Sequence, residues 1–260
     1  MTFFLNMDKK FKLTDEILVV NGKTLYRIKA LKDFSDVKKG DKGGFVEKEI
    51  NLSQYGDCWV YDDAMVYDNA EIYGDAVVRN NAKVWMDAKV SGNAKVYYNA
   101  KVYGNAMVFG HAIILDGAEV YDYAKVFGYA EVFGDAEVYG YAKVLDFTEV
   151  YDDAKVYGYA KVYDTAKVYD DAQVYGDAAV CGETRICSDA AVCADSDYIL
   201  FKNWWSSGRF FTWTKSNNMW KVGCFYGTGE ELVEKAYKDS EISGREYERV
   251  VKYVEAIMRE

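Results

Sequence analysis

A six-residue pattern fills more than half of this chain and constrains its fold more than any other feature. Valine, or isoleucine at three places, occupies every sixth position from Val60 to Val192. A small residue, usually alanine, stands two positions before each of them, with Cys58, Thr148 and Thr184 as variants. The 23 consecutive hexapeptides have the form Ala-x-Val-aromatic-Gly/Asp-x. A fixed period over this length predicts a parallel β-solenoid.

Each hexapeptide predicts one short strand and one corner. In the unit that begins at Ala136, strand alternation sends Ala136 and Val138 inward and Glu137 and Tyr139 outward. The next two residues, commonly Gly, Asp or Asn with a variable partner, are typical of turns with unusual φ angles. Small and β-branched inward residues predict a narrow, dry core. The chain contains no proline, which suits a ladder in which every strand donates its N–H groups.

The repeat resembles the hexapeptide-repeat proteins that form left-handed parallel β-helices. In that family a small residue follows the aliphatic residue by four positions, as Ala142 follows Val138 here. The resemblance implies three hexapeptides per triangular coil, hence roughly eight coils and a shaft on the order of 37 Å long. One position departs from the family, because the residue after the aliphatic one is usually Tyr, Trp or Phe.

The predicted fold class is mainly β: a single-stranded left-handed parallel β-helix with an N-terminal β cap and a small C-terminal α+β domain. The domains are predicted at residues 1–57, 58–196 and 197–260. The turn Asn21-Gly22 between two apolar runs predicts a hairpin in the first domain. A solenoid with a bare end would expose an open sheet edge, so both flanks are expected to cover the ends. The elements predicted in the last domain are strands at 198–205, 210–215 and 219–225 and helices at 229–236 and 245–259.

The flanks carry a second resemblance. The segments TLYRIKALKDFSDVKKGDKGGFVE and NLSQYGDCWVYDDA resemble the opening of hexapeptide-repeat proteins that are common in phages and prophages. An aromatic C-terminal module like this one often accompanies those proteins. This resemblance implies a phage origin and a role in countering or redirecting a host protein.

The charge of the chain limits its partners. The net charge is −10, and the repeats contain 22 carboxylates and 11 basic residues. This balance argues against direct nucleic-acid binding, which needs a cationic surface, but it permits binding to a basic protein or simply favours solubility. No stretch approaches ~18 uninterrupted apolar residues, so no membrane partner is expected. Five cysteines in a chain that is not a small disulfide scaffold predict the reducing bacterial cytoplasm.

Few residues of the chain support the hypothesis of an enzyme. Many hexapeptide solenoids are acyltransferases with a histidine general base, and His111 is the single histidine of this chain. It occupies a corner position where other repeats have Asp, Asn or Tyr, and the repeats contain no inserted loop of the kind that builds an acceptor pocket. Cys181, Cys187 and Cys193 would project from three different faces of a coil, so they cannot form a tetrahedral zinc site within one molecule. No cofactor and no metal are therefore predicted.

Sorting the repeats by an 18-residue period predicts outward columns of aromatic residues. Aromatic pairs on neighbouring strands stabilise a sheet by themselves, and tyrosine and tryptophan also anchor protein interfaces. The first aromatic column, a candidate partner-binding surface, consists of Tyr67, Trp85, Tyr103, Tyr121, Tyr139, Tyr157 and Tyr175. The second column consists of Tyr61, Arg79, Tyr97, Leu115, Phe133, Tyr151 and Tyr169.

The same sorting predicts segregated charge. A basic column consists of Lys89, Lys125, Lys143 and Lys161. One corner, here called the acidic corner, has eight carboxylates over seven coils, or roughly one per 4 Å, against one phosphate per ~3.4 Å in a DNA strand. This corner is the second candidate partner-binding surface. Its acidic residues are Asp62, Asp63, Asp116, Asp135, Asp152, Asp153, Asp170 and Asp171.

The leading hypothesis is a non-enzymatic, phage-type interaction protein. It would bind and inhibit or sequester a host defence protein, through the first aromatic column or through the acidic corner as a nucleic-acid mimic. A host protein with a basic nucleic-acid-binding surface is the expected partner. Two alternatives stay open: an acyltransferase-like enzyme that uses His111, and a structural protein that assembles with copies of itself.

Overall fold

The computed structural model describes residues 9–205 and 208–259, which form a β-solenoid with a cap at each end. The remaining parts of the predicted terminal domains, residues 1–8, 206–207 and 260, lie outside the described residues. The described chain runs through three strands of 5–10 residues, 23 strands of two residues, four strands of 3–5 residues and two α-helices. Two short 3-10 helices, Glu49–Asn51 and Asp195–Asp197, flank the solenoid. None of the helices in this described part is long and apolar enough to cross a membrane.

The N-terminal cap begins with the predicted hairpin. Strands β1 (Phe11–Val20) and β2 (Lys23–Ala30) pair in antiparallel fashion. Asn21 and Gly22 have φ values of 51° and 77°, the conformation that Asn-Gly favours in a two-residue hairpin loop. Strand β3 (Lys42–Val46) lies antiparallel to β2 and parallel to the first coil. The hairpin prediction is confirmed.

The solenoid has three faces, and each strand pairs in parallel with the strand 18 residues later. Successive strands from β4 to β26 lie on the three faces in turn, one hexapeptide per face. The predicted coil of three hexapeptides is therefore confirmed. The first face consists of Met65–Val66, Lys83–Val84, Lys101–Val102, Glu119–Val120, Glu137–Val138, Lys155–Val156, Gln173–Val174 and Ala191–Val192. The second face consists of Trp59–Val60, Val77–Val78, Lys95–Val96, Ile113–Ile114, Glu131–Val132, Glu149–Val150, Lys167–Val168 and Arg185–Ile186. The third face consists of Glu71–Ile72, Lys89–Val90, Met107–Val108, Lys125–Val126, Lys143–Val144, Lys161–Val162 and Ala179–Val180.

The interior is a dry column of small and branched side chains. The inward Ala, Val and Ile residues between Val60 and Val192 are at most 1% exposed. Thr148 and Thr184 replace alanine at two places and are fully buried. The Thr148 hydroxyl donates to the backbone oxygen of Leu145 at 2.5 Å, so its polar atom has a partner inside the core. Burying one valine side chain contributes about 1.5–3 kcal/mol, and the repeat multiplies that contribution along the shaft.

The backbone-to-backbone hydrogen bonds between the described coils point in one direction. The strand N–H groups donate to carbonyl oxygens of the next coil, so the first coil presents carbonyl oxygens without a preceding coil to bind them. The N-terminal cap supplies donors. Lys10 Nζ donates to the oxygen of Cys58 at 2.9 Å, and Asn51 Nδ2 donates to the oxygen of Ala70 at 2.8 Å. The buried position of Lys10, 1% exposed, is explained by this capping role.

The opposite end has the complementary requirement, because the last coil presents N–H groups. The C-terminal domain supplies acceptors to them. Arg185 N donates to Thr212 Oγ1 at 3.1 Å, and Ala191 N donates to Ser216 Oγ at 2.8 Å. On the third face the acceptor is a carboxylate, since Ala179 N donates to Asp195 Oδ1 at 2.8 Å. The prediction that the C-terminal domain covers the last coil is confirmed, and hydroxyl and carboxylate acceptors close the open sheet edges.

The C-terminal domain contains one strand more than predicted. The predicted strand 219–225 is two strands, separated by a turn at Gly223 with a φ of 57°. The sheet is antiparallel throughout. Its strands are β27 (Tyr198–Lys202), β28 (Phe210–Thr214), β29 (Met219–Val222) and β30 (Phe225–Gly227).

Two helices follow the sheet, α1 (Gly229–Asp239) and α2 (Glu241–Ile257). The start predicted for the second helix, residue 245, is wrong by four residues. Ser240 accepts a hydrogen bond from Ser243 N at 3.1 Å and caps the helix ahead of its first apolar residues. Val251 and Val254 of α2 are buried against the sheet of the C-terminal domain.

Candidate functional site

The first aromatic column lies on the first face as one continuous stack of seven rings. Neighbouring ring centroids are 4.3–5.9 Å apart, and the interplanar angles are at most 10°. Each ring covers the face of its neighbour. Tyr67 also packs against Leu25 and Phe45 of the N-terminal cap and is only 5% exposed, whereas the other six side chains are partly buried. The predicted column is confirmed, but it presents ring edges instead of an open apolar stripe.

The hydroxyl groups of this column bind carboxylates of the same face. Tyr103 donates to Glu119 at 2.8 Å, and Tyr121 donates to Glu137 at 2.7 Å. Burial, together with the Glu137 carboxylate, raises the pKa of Tyr121 well above its ordinary value. Partial burial favours the protonated form of Glu137, yet hydrogen bonds from Lys155 and Tyr121 lower its pKa. These polar atoms are satisfied within the sheet, and the partner-binding role of the column stays a prediction.

The second column is interrupted by a cation. The Arg79 guanidinium lies 5.5 Å from the ring centroid of Tyr61 and 5.7 Å from that of Tyr97, within the range of cation–π attraction. Further along, aromatic rings stack at 4.8 and 4.9 Å. These stacked rings are Phe133, Tyr151 and Tyr169. Ring stacking in the second column therefore stabilises the second face, as stacking in the first column stabilises the first face.

The acidic corner is the edge between the second and first faces, and its carboxylates divide into two sets. The inner set occupies the first corner position, with φ values of 53–61°, a left-handed conformation that Asp tolerates better than most residues. Each of these carboxylates accepts a hydrogen bond from a backbone N–H one coil later, at 2.9–3.5 Å. Sequence reasoning explained these residues by turn propensity and missed this link between coils. The inner set consists of Asp62, Asp116, Asp152 and Asp170.

The outer set, at the second corner position, is exposed to solvent. Asp63 binds Arg27 of β2 at 3.0 Å. No basic side chain in the described part of the chain lies within 4.0 Å of Asp135, Asp153 or Asp171. These three residues, here called the acidic triplet, stand on successive coils at about 4.8 Å per coil. Among the described residues, the structure thus leaves three carboxylates of the acidic corner exposed and without an ion pair.

The predicted basic column is confirmed on the third face. Lys89 binds Glu71 at 3.3 Å, whereas Lys125, Lys143 and Lys161 have no carboxylate within 4.0 Å among residues 9–205 and 208–259. We call these three residues the basic triplet. They pair directly with one another across adjacent strands.

Exposed aromatic residues at two corners escaped the sequence reasoning, which looked for aromatic columns at strand positions only. They flank the third face on both sides, and their rings stack at 5.0–5.1 Å. Sorting the second corner positions by the same 18-residue period would have found them. Tyr123, Tyr141 and Tyr159 are 50%, 50% and 62% exposed on one side, and Tyr129 and Phe147 are 53% and 62% exposed on the other.

His111 lies in the same corner column as Tyr129. Its ring stacks on that of Tyr129 with centroids 4.7 Å apart and an interplanar angle of 2°. The side chain is exposed. Four shallow cavities of about 370–490 Å³ lie elsewhere, and none of these four is lined by His111. The largest of these four cavities lies in the C-terminal domain between Trp213, Trp220 and Met258.

The three repeat cysteines follow strands of three different faces, as predicted. Burial raises the pKa of the Cys187 thiol, and hydrogen bonding to Asp197 raises that of Cys193. In the described ranges, no three His, Cys, Asp or Glu side chains are grouped to hold a metal ion.

Comparison with known proteins adds one short match. No protein-family model matches the sequence. The chain is similar to the "Uncharacterized acetyltransferase YdcK" of Escherichia coli (strain K12), at 47% identity over 38 residues. This match covers 15% of the chain and spans only 12% of the length of that relative. The hexapeptide pattern, the 18-residue strand pairing and the three faces together make this chain a hexapeptide-repeat parallel β-solenoid.

Proposed function

We propose that this protein is a non-enzymatic binding protein that docks its acidic corner on a basic surface of another protein. The observation that carries the proposal is the acidic triplet, three exposed carboxylates on successive coils of a rigid shaft. Charges fixed in position by a scaffold are favourable for recognition, because they steer association and lose little freedom on binding. The consequence for the partner would be inhibition or sequestration.

The partner we propose has a groove that binds nucleic acid. The acidic triplet repeats every ~4.8 Å, so it presents a row of negative charges somewhat sparser than the phosphates of a DNA strand, which lie ~3.4 Å apart. The inner carboxylates Asp152 and Asp170 add charge beside it. The resemblance of the flanks to phage and prophage solenoids makes a host defence protein in the bacterial cytoplasm the partner class of this proposal.

Of the two predicted surfaces, the acidic corner has the stronger support. Rings of the first aromatic column cover one another, and hydroxyls of Tyr103 and Tyr121 bind carboxylates of the same face. The acidic triplet has no such partner in the described part of the chain.

The proposal is tested by capture from bacterial lysate with three tagged proteins. These are the wild type, the acidic-triplet variant Asp135→Asn/Asp153→Asn/Asp171→Asn and a control. The control, Asp57→Asn/Asp87→Asn/Asp177→Asn, removes the same charge from exposed positions at other corners.

We expect one host protein to be retained by the wild type and the control. Three ion pairs at about 0.5–1 kcal/mol each predict roughly 10–100-fold weaker binding to the acidic-triplet variant. Equal retention by all three proteins would refute the acidic corner as the binding surface.

Acyl transfer is the second candidate, and the short match to an acetyltransferase favours it. His111 would be the general base, which must come within hydrogen-bond reach of the acceptor proton. Transfer from acetyl coenzyme A to amine or hydroxyl acceptors, present in the wild type and lost in His111→Ala, would replace the binding proposal with this one. The binding proposal expects no turnover that depends on His111.

A further inference from the structure

The basic triplet places like charges opposite one another at a cost to the sheet. Lys125 faces Lys143, and Lys143 faces Lys161, in direct parallel register. Like charges directly opposite on neighbouring strands are destabilising. On the first face Lys101 also faces Lys83, and Glu119 faces Glu137. There the repulsion is offset, because Lys101 and Lys155 bind Glu119 and Glu137 at 2.6 and 2.8 Å. No described carboxylate lies within 4.0 Å of the three lysines of the basic triplet, which leaves the triplet available to an external anion.

The aromatic residues beside the basic triplet decide what kind of anion fits. Their rings are stacked with interplanar angles of 2–6°, so ring faces cover each other and only edges point outward. Single-stranded nucleic acids bind by stacking bases on free aromatic faces. Within these columns every ring face between two neighbouring rings is covered, and only the rings at the two ends have a free face. The surface suits a polypeptide that brings carboxylates to the lysines.

This chain itself carries the matching polypeptide surface. In the triangular section, the acidic corner between the second and first faces lies across from the third face. The acidic triplet and the basic triplet each occupy three successive coils and each repeat every 18 residues. Both therefore have the same axial spacing, and three ion pairs can form at once between two parallel shafts.

We propose that a second copy of this chain docks its acidic triplet on the basic triplet of the third face. The two surfaces lie on opposite sides of the shaft, so the contact is heterologous and copies join in open rows. This inference goes beyond the proposed function but shares the acidic corner with it. A copy whose acidic corner is docked in a row cannot bind the basic partner at the same time.

The dependence on ionic strength distinguishes the attraction at this contact from the overall repulsion between two acidic molecules. At ~0.1 M salt the Debye length is about 10 Å, which screens charges across the width of the shaft more than pairs in contact. At ~1 M salt it is about 3 Å, and the contact pairs are screened as well. The purified wild type should thus grow in mass with concentration at the lower salt and return to monomer at the higher.

Sedimentation velocity of the purified chain, without any partner, tests the proposal with charge variants. The basic-triplet variant Lys125→Gln/Lys143→Gln/Lys161→Gln and the acidic-triplet variant should each remain monomeric. Their equimolar mixture should form dimers and stop, because it contains only one intact pair of surfaces. The control Lys101→Gln/Lys155→Gln, on the first face, should associate like the wild type.

A monomeric wild type at ~0.1 M salt, or a basic-triplet variant that associates like the wild type, would overturn the proposal. Binding of a monomeric wild type to vesicles of phosphatidylcholine and phosphatidylserine through the basic triplet would overturn it too and assign that face to anionic lipid. The self-association and the proposed function can fail independently of each other. The basic-triplet variant keeps its acidic corner, so it should still capture the host partner.

Discussion

Substitution of Asp164 tests whether corner carboxylates hold successive coils together. Asp164 lies at a corner outside both charge triplets, has a φ of 60° and accepts a hydrogen bond from Gly182 N at 3.0 Å. Alanine removes that acceptor, worth about 0.5–1.5 kcal/mol. It also places a side chain without a compensating polar contact in the left-handed region, at about 1–2 kcal/mol. We expect Asp164→Ala to lower the free energy of unfolding by about 2 kcal/mol.

Two further variants of Asp164 separate the contributions. Asparagine tolerates the left-handed conformation and keeps an acceptor oxygen, so Asp164→Asn should change the stability by less than about 0.5 kcal/mol. Glycine accepts the conformation but has no acceptor, so Asp164→Gly should cost about 1 kcal/mol. Urea unfolding followed by circular dichroism measures these free energies.

Hydrogen exchange at the Gly182 amide locates the effect. The amide should be protected in the wild type and in Asp164→Asn, and it should exchange faster in the alanine and glycine variants. Equal stability of the alanine and asparagine variants, or unchanged exchange at Gly182, would refute the reasoning.

The C-terminal domain, which covers the last coil, and the first aromatic column give two more predictions. Thr212→Val leaves the partly buried Arg185 N–H without its acceptor and should cost about 1 kcal/mol in urea unfolding. Thr24→Val in strand β2, where the hydroxyl makes no hydrogen bond to the described residues, should change stability by under ~0.5 kcal/mol. Equal effects would contradict the capping role. Tyr121 keeps its proton in the folded state above the pH of ~10 at which unfolded tyrosine loses it, so stability should fall as pH rises past ~10. Tyr121→Phe should flatten that fall in urea titrations, and an unchanged slope would contradict the assignment.

The repeat made the solenoid predictable because one local pattern is used 23 times. Strand alternation places Val138 inward and Tyr139 outward whatever the neighbours are, and the period then stacks like on like. The hairpin at Asn21-Gly22 was equally local. These features depend mainly on residues that are close together in the sequence, so a local pattern is enough to predict them.

The features that escaped prediction depend on a neighbouring coil or on a weak local signal. The hydrogen bond from Gly182 N to Asp164 joins residues 18 positions apart, and the exposure of Tyr121 depends on rings above and below it. The start of α2 at Glu241 depends on the Ser240 cap, since no apolar periodicity marks that turn. Which carboxylates of the acidic corner are free was decided by Arg27 and by backbone amides of the next coil.

Carbodiimide cross-linking of the captured complex is the most direct test of the binding proposal. The reagent joins a carboxylate to a lysine in contact with it, and mass spectrometry identifies both residues. The account predicts links from Asp135, Asp153 or Asp171 to lysines of the partner's nucleic-acid-binding surface. Links to the partner that arise only from carboxylates outside the acidic corner would contradict it.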